Sequence, residues 1–252
     1  MIVHHYCTAN LGDFLNCMPV LSGVARAHGP ITLIVRPEMR KFNGIREFLQ
    51  HQDHIVSDVL FMDEIDIVPS MVHLSSWTRE DKNNSIRPTE TCRYENWMRD
   101  HYPSIHFEVD DQVELKVADL PDIRVPKGFI VGDRANHSPD PRRAVGQLSH
   151  LSKNSEAVFL DYKRPMMENA YIIKHSPRPF VSCFTGVSIL ADLINKADNL
   201  VVWKPEDYAE EFRRGPRQVC WDNKTIEEVF QKHYYGDRKS KLVHNEDLGV
   251  YL

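Results

Sequence analysis

Features that would place a protein in a membrane or outside the cell are missing from this sequence. The 252 residues contain no apolar run near the roughly 20 that a membrane-spanning helix needs, and the mean hydropathy is −0.44. The first residues lack the regions that define a secretory signal. The five cysteines include no C-x-x-C pair, which argues against a disulfide framework or a zinc site. We therefore expect a soluble protein of the reducing cytoplasm.

Metal-binding patterns are absent as well. The 13 histidines form no H-x-x-x-H pair, and His51 and His54 have no third ligand close by in the sequence. No D-x-D string occurs, and the nearest acidic run, residues 63–66, has the spacing of an acidic turn. We expect no metal and no cofactor.

The net charge of −5 is unevenly distributed. Residues 1–126 carry 12 basic and 19 acidic side chains, whereas residues 127–252 carry 19 basic and 17 acidic ones. An acidic first half has no general attraction for a polyanion, although a local basic groove is compatible with it. The slight positive excess of the second half suits a site for a small phosphorylated molecule.

Strands alternate with helices along the sequence, which favours parallel sheets covered by helices on both faces. In the first half we predict strands at residues 2–6, 31–35, 56–62 and 71–74, and helices at 12–28, 40–51 and 91–101. In the second half we predict strands at 128–132, 157–160, 180–184 and 200–203, and helices at 141–151, 187–197 and 225–232.

Residues 102–127 differ from both halves because they combine three prolines with a cluster of acidic side chains. We interpret this stretch as an interdomain connection with one strand at residues 113–117. The sequence thus predicts two doubly wound α/β domains, 1–126 and 127–252, that face a cleft.

The strongest motif, residues 11–21 (LGDFLNCMPVL), follows the first strand and runs into a helix. Gly12 lets the backbone turn tightly beyond the carboxyl end of the strand. Asp13 comes next, in the first helical turn, where a carboxylate can accept free N–H groups. Because ligands bind outside the carboxyl ends of such strands, Asp13 is expected to face the cleft. A purely structural role for Asp13, as a cap of the helix, fits the same position.

This motif resembles the opening of the heptosyltransferases and their relatives, glycosyltransferase family 9, which are GT-B enzymes. The family pattern is a strand, then Gly-Asp-hydrophobic-Leu, then Leu/Met-Pro-Ala/Val-Leu. The matching residues are Gly12, Asp13, Leu15, Met18, Pro19, Val20 and Leu21. The resemblance implies that Asp13 lies on the acceptor side of the cleft and acts as the catalytic base.

A second segment, residues 180–191 (FVSCFTGVSILA), resembles the part of the family in which a Ser/Thr-Gly pair begins a helix. The N–H groups of that helix hold the diphosphate of the donor in the family. Thr185 and Gly186 match the pair, and the N–H groups of Gly186, Val187 and Ser188 would take the same role. Thr185 as a simple helix cap is the alternative. Donor details do not carry over, because three family positions, an Asp, a Pro and a His, are occupied here by Phe184, Val187 and Ile189.

Further candidate partners of the donor follow other strands of the second half. Arg134 follows the strand at 128–132, where basic residues of the family face the donor phosphates. Lys204 follows the strand at 200–203, at the same predicted edge of the sheet. Glu206, or its neighbour Asp207, would bond a ribose hydroxyl or else begin a helix. Gly12 completes the predicted donor site.

The resemblance implies a metal-independent, inverting glycosyltransferase. A sugar would pass from a nucleotide-sugar, which is a substrate and not a cofactor, to an acceptor hydroxyl deprotonated by Asp13. The acceptor is open between a glycan and a hydroxymethylated DNA base. The net charge favours a glycan, whereas basic clusters at residues 213–217 and 232–241 offer phosphate contacts for DNA.

Two other functions fit the same sequence. A sugar-nucleotide epimerase has the same two-domain plan and would isomerise its sugar without an acceptor. The departures at Phe184 and Ile189 also suit an inactive nucleotide-binding module.

Overall fold

Four parallel strands form the sheet of the first half of the chain. The structure is a computed structural model that describes residues 1–6, 10–66, 70–76, 89–132, 155–178, 180–183, 186–194, 200–203 and 220–221, to which all structural statements refer. The strands are β1 (Ile2–His5), β2 (Ile31–Val35), β3 (Val56–Phe61) and β4 (Val72–Leu74). Their order across the sheet is β3-β2-β1-β4. The helices are α1 (Leu11–Leu15), α2 (Met18–His28), α3 (Ile45–Gln50) and α4 (Thr89–His101).

Five parallel strands form the sheet of the second half, in the order β6-β5-β7-β8-β9. The strands are β5 (Phe129–Gly132), β6 (Ala157–Phe159), β7 (Phe180–Cys183), β8 (Leu200–Trp203) and β9 (Cys220–Trp221). Its helices are α5 (Met166–His175) and α6 (Gly186–Leu193). The predicted parallel α/β architecture is confirmed, while α5 and β9 were not predicted. The helices predicted at 141–151 and 225–232 lie outside the described residues.

Two helices predicted as continuous are interrupted, each by a proline or glycine whose backbone does not fit a continuous helix. The helix predicted at 12–28 is divided into α1 and α2, because Pro19 lacks an N–H and its ring would clash with the carbonyl of Leu15. The helix predicted at 40–51 consists of a 3-10 turn at Pro37–Lys41 followed by α3. Gly44, between them, has a φ of 71°, which continuous helix does not allow.

The strand predicted at residues 113–117 is wrong, since this fully described stretch forms no strand. The alternation that suggested it is real, because Val113 and Leu115 are buried. However, the backbone of residues 113–117 does not pair with a strand. The Leu115 N–H donates to the Leu193 carbonyl oxygen at 2.7 Å, and the Lys116 N–H donates to Oε1 of Gln52 at 2.6 Å. The stretch therefore lies between the end of α6 and the end of α3.

The edge strand β4 is protected by side chains from α4 and the residue after it. The His73 N–H donates to the Tyr102 hydroxyl at 2.9 Å, and the Trp97 indole N–H donates to the His73 carbonyl oxygen at 2.7 Å. These bonds occupy backbone groups that an exposed edge would offer to another strand. Among the described helices none is long and apolar enough to cross a membrane.

Candidate active site

Asp13 lies in a one-turn helix directly beyond β1. Asn10 is the N-cap of α1, and the Phe14 N–H donates to the Asn10 carbonyl oxygen at 3.1 Å. Asp13 is the third residue of the helix and is partly buried. The side-chain N–H of Asn10 donates to Oδ2 of Asp13 at 3.3 Å. Asn10, not Asp13, thus occupies the capping position of α1.

The start of α1 meets the start of α6 through two glycines. A Cβ atom added to Gly186 would lie 2.7 Å from the backbone N of Gly12 and 2.8 Å from the Cβ of Leu11, distances that real Cβ atoms do not show. A Cβ added to Gly12 would lie 3.2 Å from Cδ1 of Ile189 and 3.5 Å from the Gly186 backbone. Gly186 has no room for a side chain because its backbone touches that of Gly12, 174 positions away in the sequence. The contact places the start of α1, the helix that carries Asp13, against the start of α6.

The first turn of α6 offers backbone groups and not side chains. Val187 and Ser188 are buried, and Ser188 has no exposed surface. Any contact of these two residues with a ligand would therefore come from their main-chain N–H groups, which point toward the N-terminus of the helix. The helix is preceded by β7, whose Ser182 hydroxyl donates to the Gly132 carbonyl oxygen at 3.0 Å and so links β7 to β5.

A buried histidine lies directly beneath α1. The side chain of His5 is fully buried on the face of the sheet that the core helices cover, and the edge of its ring contacts Phe14 with ring centroids 5.0 Å apart. His5 Nε2 and the Tyr94 hydroxyl share a hydrogen bond of 2.9 Å, whereas His5 Nδ1 has no hydrogen-bond partner among the described residues. Burial, followed by the charges of His4 and Arg36, lowers the pKa of His5 to about 3. His5 is therefore neutral at physiological pH.

The acidic run after β3 is neutralised by arginines. Arg40 donates to both carboxylate oxygens of Asp63 at 2.7 and 2.8 Å, and Arg46 is paired with Glu64. The Arg46 hydrogen bond lowers the pKa of Glu64 to about 2. Both guanidinium groups also lie over the ring of Phe61, 4.0 and 4.6 Å from its centroid. In the part of the chain that the structure describes, no group of three or more His, Cys, Asp or Glu could hold a metal ion.

The predicted site residues divide into two sets. Gly12 and Gly186 are in contact, with Asp13 following Gly12 in α1 and Val187 and Ser188 in the first turn of α6. The other predicted residues lie outside the described part of the chain: Arg134, Thr185, Lys204 and Glu206. The same is true of the basic clusters at 213–217 and 232–241.

Sequence reasoning missed His5 and Tyr94. A signal for His5 was present, because adjacent strand side chains point to opposite faces and a sheet covered on both faces buries both His4 and His5. Tyr94 carried no comparable signal, since its contact with β1 joins residues 89 positions apart.

Comparisons with known proteins agree on the fold. No protein-family model matches the chain, and no curated protein matches its sequence. Among solved structures, the chain is similar to the glycosyl transferase family 9 protein from Veillonella parvula, with a TM-score of 0.57 and 10% identity over 92% of this chain and 88% of that one.

Two structures of the E. coli heptosyltransferase WaaC are also similar. The complex with ADP gives a TM-score of 0.55 and 11% identity over 92% of this chain and 99% of that one. The complex with ADP-2-deoxy-2-fluoro heptose gives a TM-score of 0.50 and 12% identity over 88% of this chain and 93% of that one. The predicted resemblance to GT-B heptosyltransferases is confirmed at the level of the fold.

Proposed function

We propose that this chain is a glycosyltransferase that moves a sugar from a nucleotide-sugar to an acceptor hydroxyl, with Asp13 as the general base. The observation that carries the proposal is the contact of Gly12 with Gly186. This contact sets the helix that carries Asp13 against the start of the helix at which we expect the donor diphosphate to bind. Structural similarity to enzymes that transfer sugars supports the same chemistry.

In the proposed step, Asp13 removes the proton of the acceptor hydroxyl. The hydroxyl oxygen forms a bond to the anomeric carbon as the bond from that carbon to the diphosphate breaks, and the nucleoside diphosphate leaves from the opposite face. One base with direct attack inverts the anomeric carbon. A retaining route through a covalent intermediate would need a second nucleophile.

The donor side would stabilise the charge that develops on the leaving diphosphate. We assign this role to Thr185, to the N–H groups of residues 186–188, and to Arg134 and Lys204, with Glu206 on the ribose. Residues 127–252 would thus bind the donor and residues 1–126 the acceptor. WaaC has been captured with ADP and with an ADP-heptose analogue, so adenine nucleotide-sugars are the first donors to test.

The acceptor is a glycan or a hydroxymethylated base in DNA, and salt separates the two. Binding of DNA releases counterions from each neutralised phosphate, so transfer to DNA should fall steeply between 50 and 200 mM salt, by about 1,000-fold or more for six phosphate contacts. Transfer to a saccharide should change little. Rates with a radiolabelled nucleotide-sugar on hydroxymethylcytosine DNA and on a saccharide panel measure both.

Asp13→Asn tests the proposed base. Asn keeps the size of the side chain and can accept the Asn10 N–H, so folding and donor affinity should be almost unchanged. Transfer should fall by about 100-fold or more, the usual loss when a general base is removed. Single-turnover transfer, melting temperature and calorimetry with the nucleoside diphosphate measure the three quantities.

Asp53→Asn is the matched control, because Asp53 is exposed and its partners Lys116 and His54 lie at the surface beside it. It should leave transfer unchanged.

Asp13→Ala is a second variant that separates a catalytic from a purely structural role of Asp13. If Asp13 were purely structural, Asp13→Ala would lose the hydrogen bond from Asn10 and some stability, and the folded fraction would keep its turnover. Near-wild-type transfer by folded Asp13→Asn would contradict the proposal.

Product analysis distinguishes the other functions. An epimerase would convert the nucleotide-sugar without an acceptor, and an inactive module would bind the nucleotide and leave the sugar intact. Only transfer that depends on an added acceptor supports a glycosyltransferase.

A further inference from the structure

The helix that carries Asp13 is too short to hold its own position. α1 has five residues, so its backbone makes only a few helical bonds, among them those from the Phe14 N–H to the Asn10 carbonyl oxygen at 3.1 Å and from the Asn16 N–H to the Gly12 carbonyl oxygen at 3.0 Å. Isolated helices of this length are not stable in water, because the free energy cost of nucleating a helix exceeds the stabilisation that one turn provides. The direction in which Asp13 points must therefore be set by what packs against α1.

Two side chains of α4 contact α1 or the residue beneath it. The Thr91 hydroxyl donates to the Asn16 carbonyl oxygen at 2.8 Å, which fixes the end of α1. The Tyr94 hydroxyl is hydrogen-bonded to His5, whose ring edge meets Phe14, the residue after Asp13.

Both contacts are closed to water, since Thr91 is 1% exposed and both Tyr94 and His5 are fully buried. His5 has one ring nitrogen without a partner among the described residues, so the Tyr94 bond is what orients its ring. Loss of one hydroxyl on α4 would therefore reach α1 through a single neighbouring residue, Asn16 or His5.

We propose that α4 positions the base: Thr91 and Tyr94 are positioning residues that hold α1 in the orientation needed by Asp13. Neither residue touches the expected substrates, and each acts through a neighbour, Thr91 through Asn16 and Tyr94 through His5 and Phe14. The assignment of a base rests on the proposed function above, whereas the control of α1 by α4 can be measured without it.

Amide hydrogen exchange measures the position of α1 independently of activity. In Thr91→Val and Tyr94→Phe, the amides of Phe14 and Asn16 should exchange about tenfold faster than in the wild type, as expected when a buried hydrogen bond is lost. The amide of Val181 in β7 serves as an internal reference. Unchanged exchange at Phe14 and Asn16 in both variants would overturn the proposal, whatever the enzyme does.

Two control variants, Tyr102→Phe and Thr91→Ser, test whether faster exchange is caused by loss of the hydroxyl groups of Thr91 and Tyr94. Tyr102→Phe removes the same atom from the residue just after α4, where the hydroxyl accepts the His73 N–H and is remote from α1. It should leave the α1 amides unchanged. Thr91→Ser keeps the hydroxyl and should restore slow exchange. Faster α1 exchange in Tyr102→Phe equal to that in Tyr94→Phe would mean a general loosening and would contradict the proposal.

Transfer kinetics give the functional readout. Thr91→Val and Tyr94→Phe should lower kcat by about tenfold and leave the KM for the donor nearly unchanged, because all of the predicted donor residues except Gly12 lie in the other half. In the Asp13→Asn background the same changes should cost nothing further, since there is no base left to position. A KM effect with unchanged kcat would overturn the positioning role.

A paired replacement separates positioning from stability. Leaving one partner of a buried hydrogen bond unpaired destabilises, whereas replacing both by apolar groups is nearly neutral. His5→Leu combined with Tyr94→Phe should therefore recover the melting temperature lost in Tyr94→Phe. The low kcat and the fast α1 exchange should persist. If they recover together with the melting temperature, the pair is structural only and the proposal fails.

Discussion

The two helices that meet at the candidate site are held in place by different interactions. α6 has eight residues, and six of them are buried: Val187, Ser188, Ile189, Leu190, Ala191 and Leu193. α1 has five residues with two buried, Phe14 and Leu15. Its other contacts are the glycine contact with α6, one hydrogen bond from Thr91 of α4 to Asn16 just after the helix, and the ring of His5. Full burial of a large apolar side chain contributes about 1.5–3 kcal/mol, whereas a hydrogen bond contributes about 0.5–1.5 kcal/mol.

The difference assigns different tasks to the two helices. A helix fixed by apolar burial holds its backbone N–H groups in place even when a single side chain changes. A helix fixed by a few directional bonds can hold one side chain at a defined angle, but it loses that angle when one bond is lost. The first arrangement suits a site for a diphosphate and the second suits a base.

The largest expected effect comes from Gly186→Ala, which breaks the contact between the two helices. The new Cβ would meet backbone N of Gly12 and the Cβ of Leu11, and neither can give way as a flexible side-chain end does. We expect a loss of stability near the upper end of the usual cost of overpacking, about 3 kcal/mol, and loss of transfer by the folded fraction. Thermal melting and single-turnover transfer measure the two effects.

Gly12→Ala is the matched change on the other helix. Its nearest neighbour is Cδ1 of Ile189 at 3.2 Å, the mobile end of a side chain. It should cost less stability than Gly186→Ala. Equal melting temperatures for the two variants would show that the backbones do not touch at Gly186.

The next largest effect is a pH dependence of the free energy of unfolding, which arises from His5 beneath α1. His5 has an ordinary pKa of 6.5, and burial followed by the charges of His4 and Arg36 lowers it to about 3. Below pH 6.5 the unfolded chain binds a proton at His5 that the folded chain does not bind until about pH 3. Above pH 6.5 the titration of His5 therefore costs no stability. As the pH falls from 6.5 toward 3, the free energy of unfolding decreases by at most about 1.4 kcal/mol per pH unit.

His5→Gln removes this titration and keeps a polar partner for Tyr94. The pKa of His4 is also lowered, first by burial, and His4 titrates in both proteins. The difference between the wild type and the variant from pH 7 to pH 5 in urea unfolding therefore isolates His5. The wild type should lose more stability on acidification. Parallel curves would show that His5 is not buried in its neutral form.

Much of the fold was predictable because alternating strands and helices leave a local pattern. All four strands predicted in the first half are present, and β2 has the predicted bounds. The break between α1 and α2 was missed, since one helix was predicted at 12–28 although Pro19 lies within the motif. α5 was missed although Met166, Ala170 and Ile173 have helical spacing and are buried. The strand at 113–117 failed because alternation shows which side chains are buried and not what the backbone pairs with.

The candidate site was predictable only as two separate motifs. Gly12 and Asp13 were recognisable from the residues around them, and Gly186 from the start of a helix after a strand. That Gly12 touches Gly186 depends on how the two sheets pack, which no local pattern records. The roles of Tyr94 and Thr91 depend in the same way on where α4 lies, because each contacts residues at least 75 positions away.

The smallest expected effect sharpens the comparison of the two helices. Ser182→Ala removes a buried hydroxyl that donates to the Gly132 carbonyl oxygen beneath α6, and Thr91→Val removes one that donates to Asn16 at the end of α1. Each loss should cost about 1 kcal/mol, or roughly 2–4 °C in melting temperature for a chain of this size. Because apolar burial holds α6, Ser182→Ala should leave kcat and the KM for the donor unchanged. Thr91→Val should lower kcat at the same loss of stability. Equal kcat values at matched melting temperatures would mean that the two helices do not differ in how they are held.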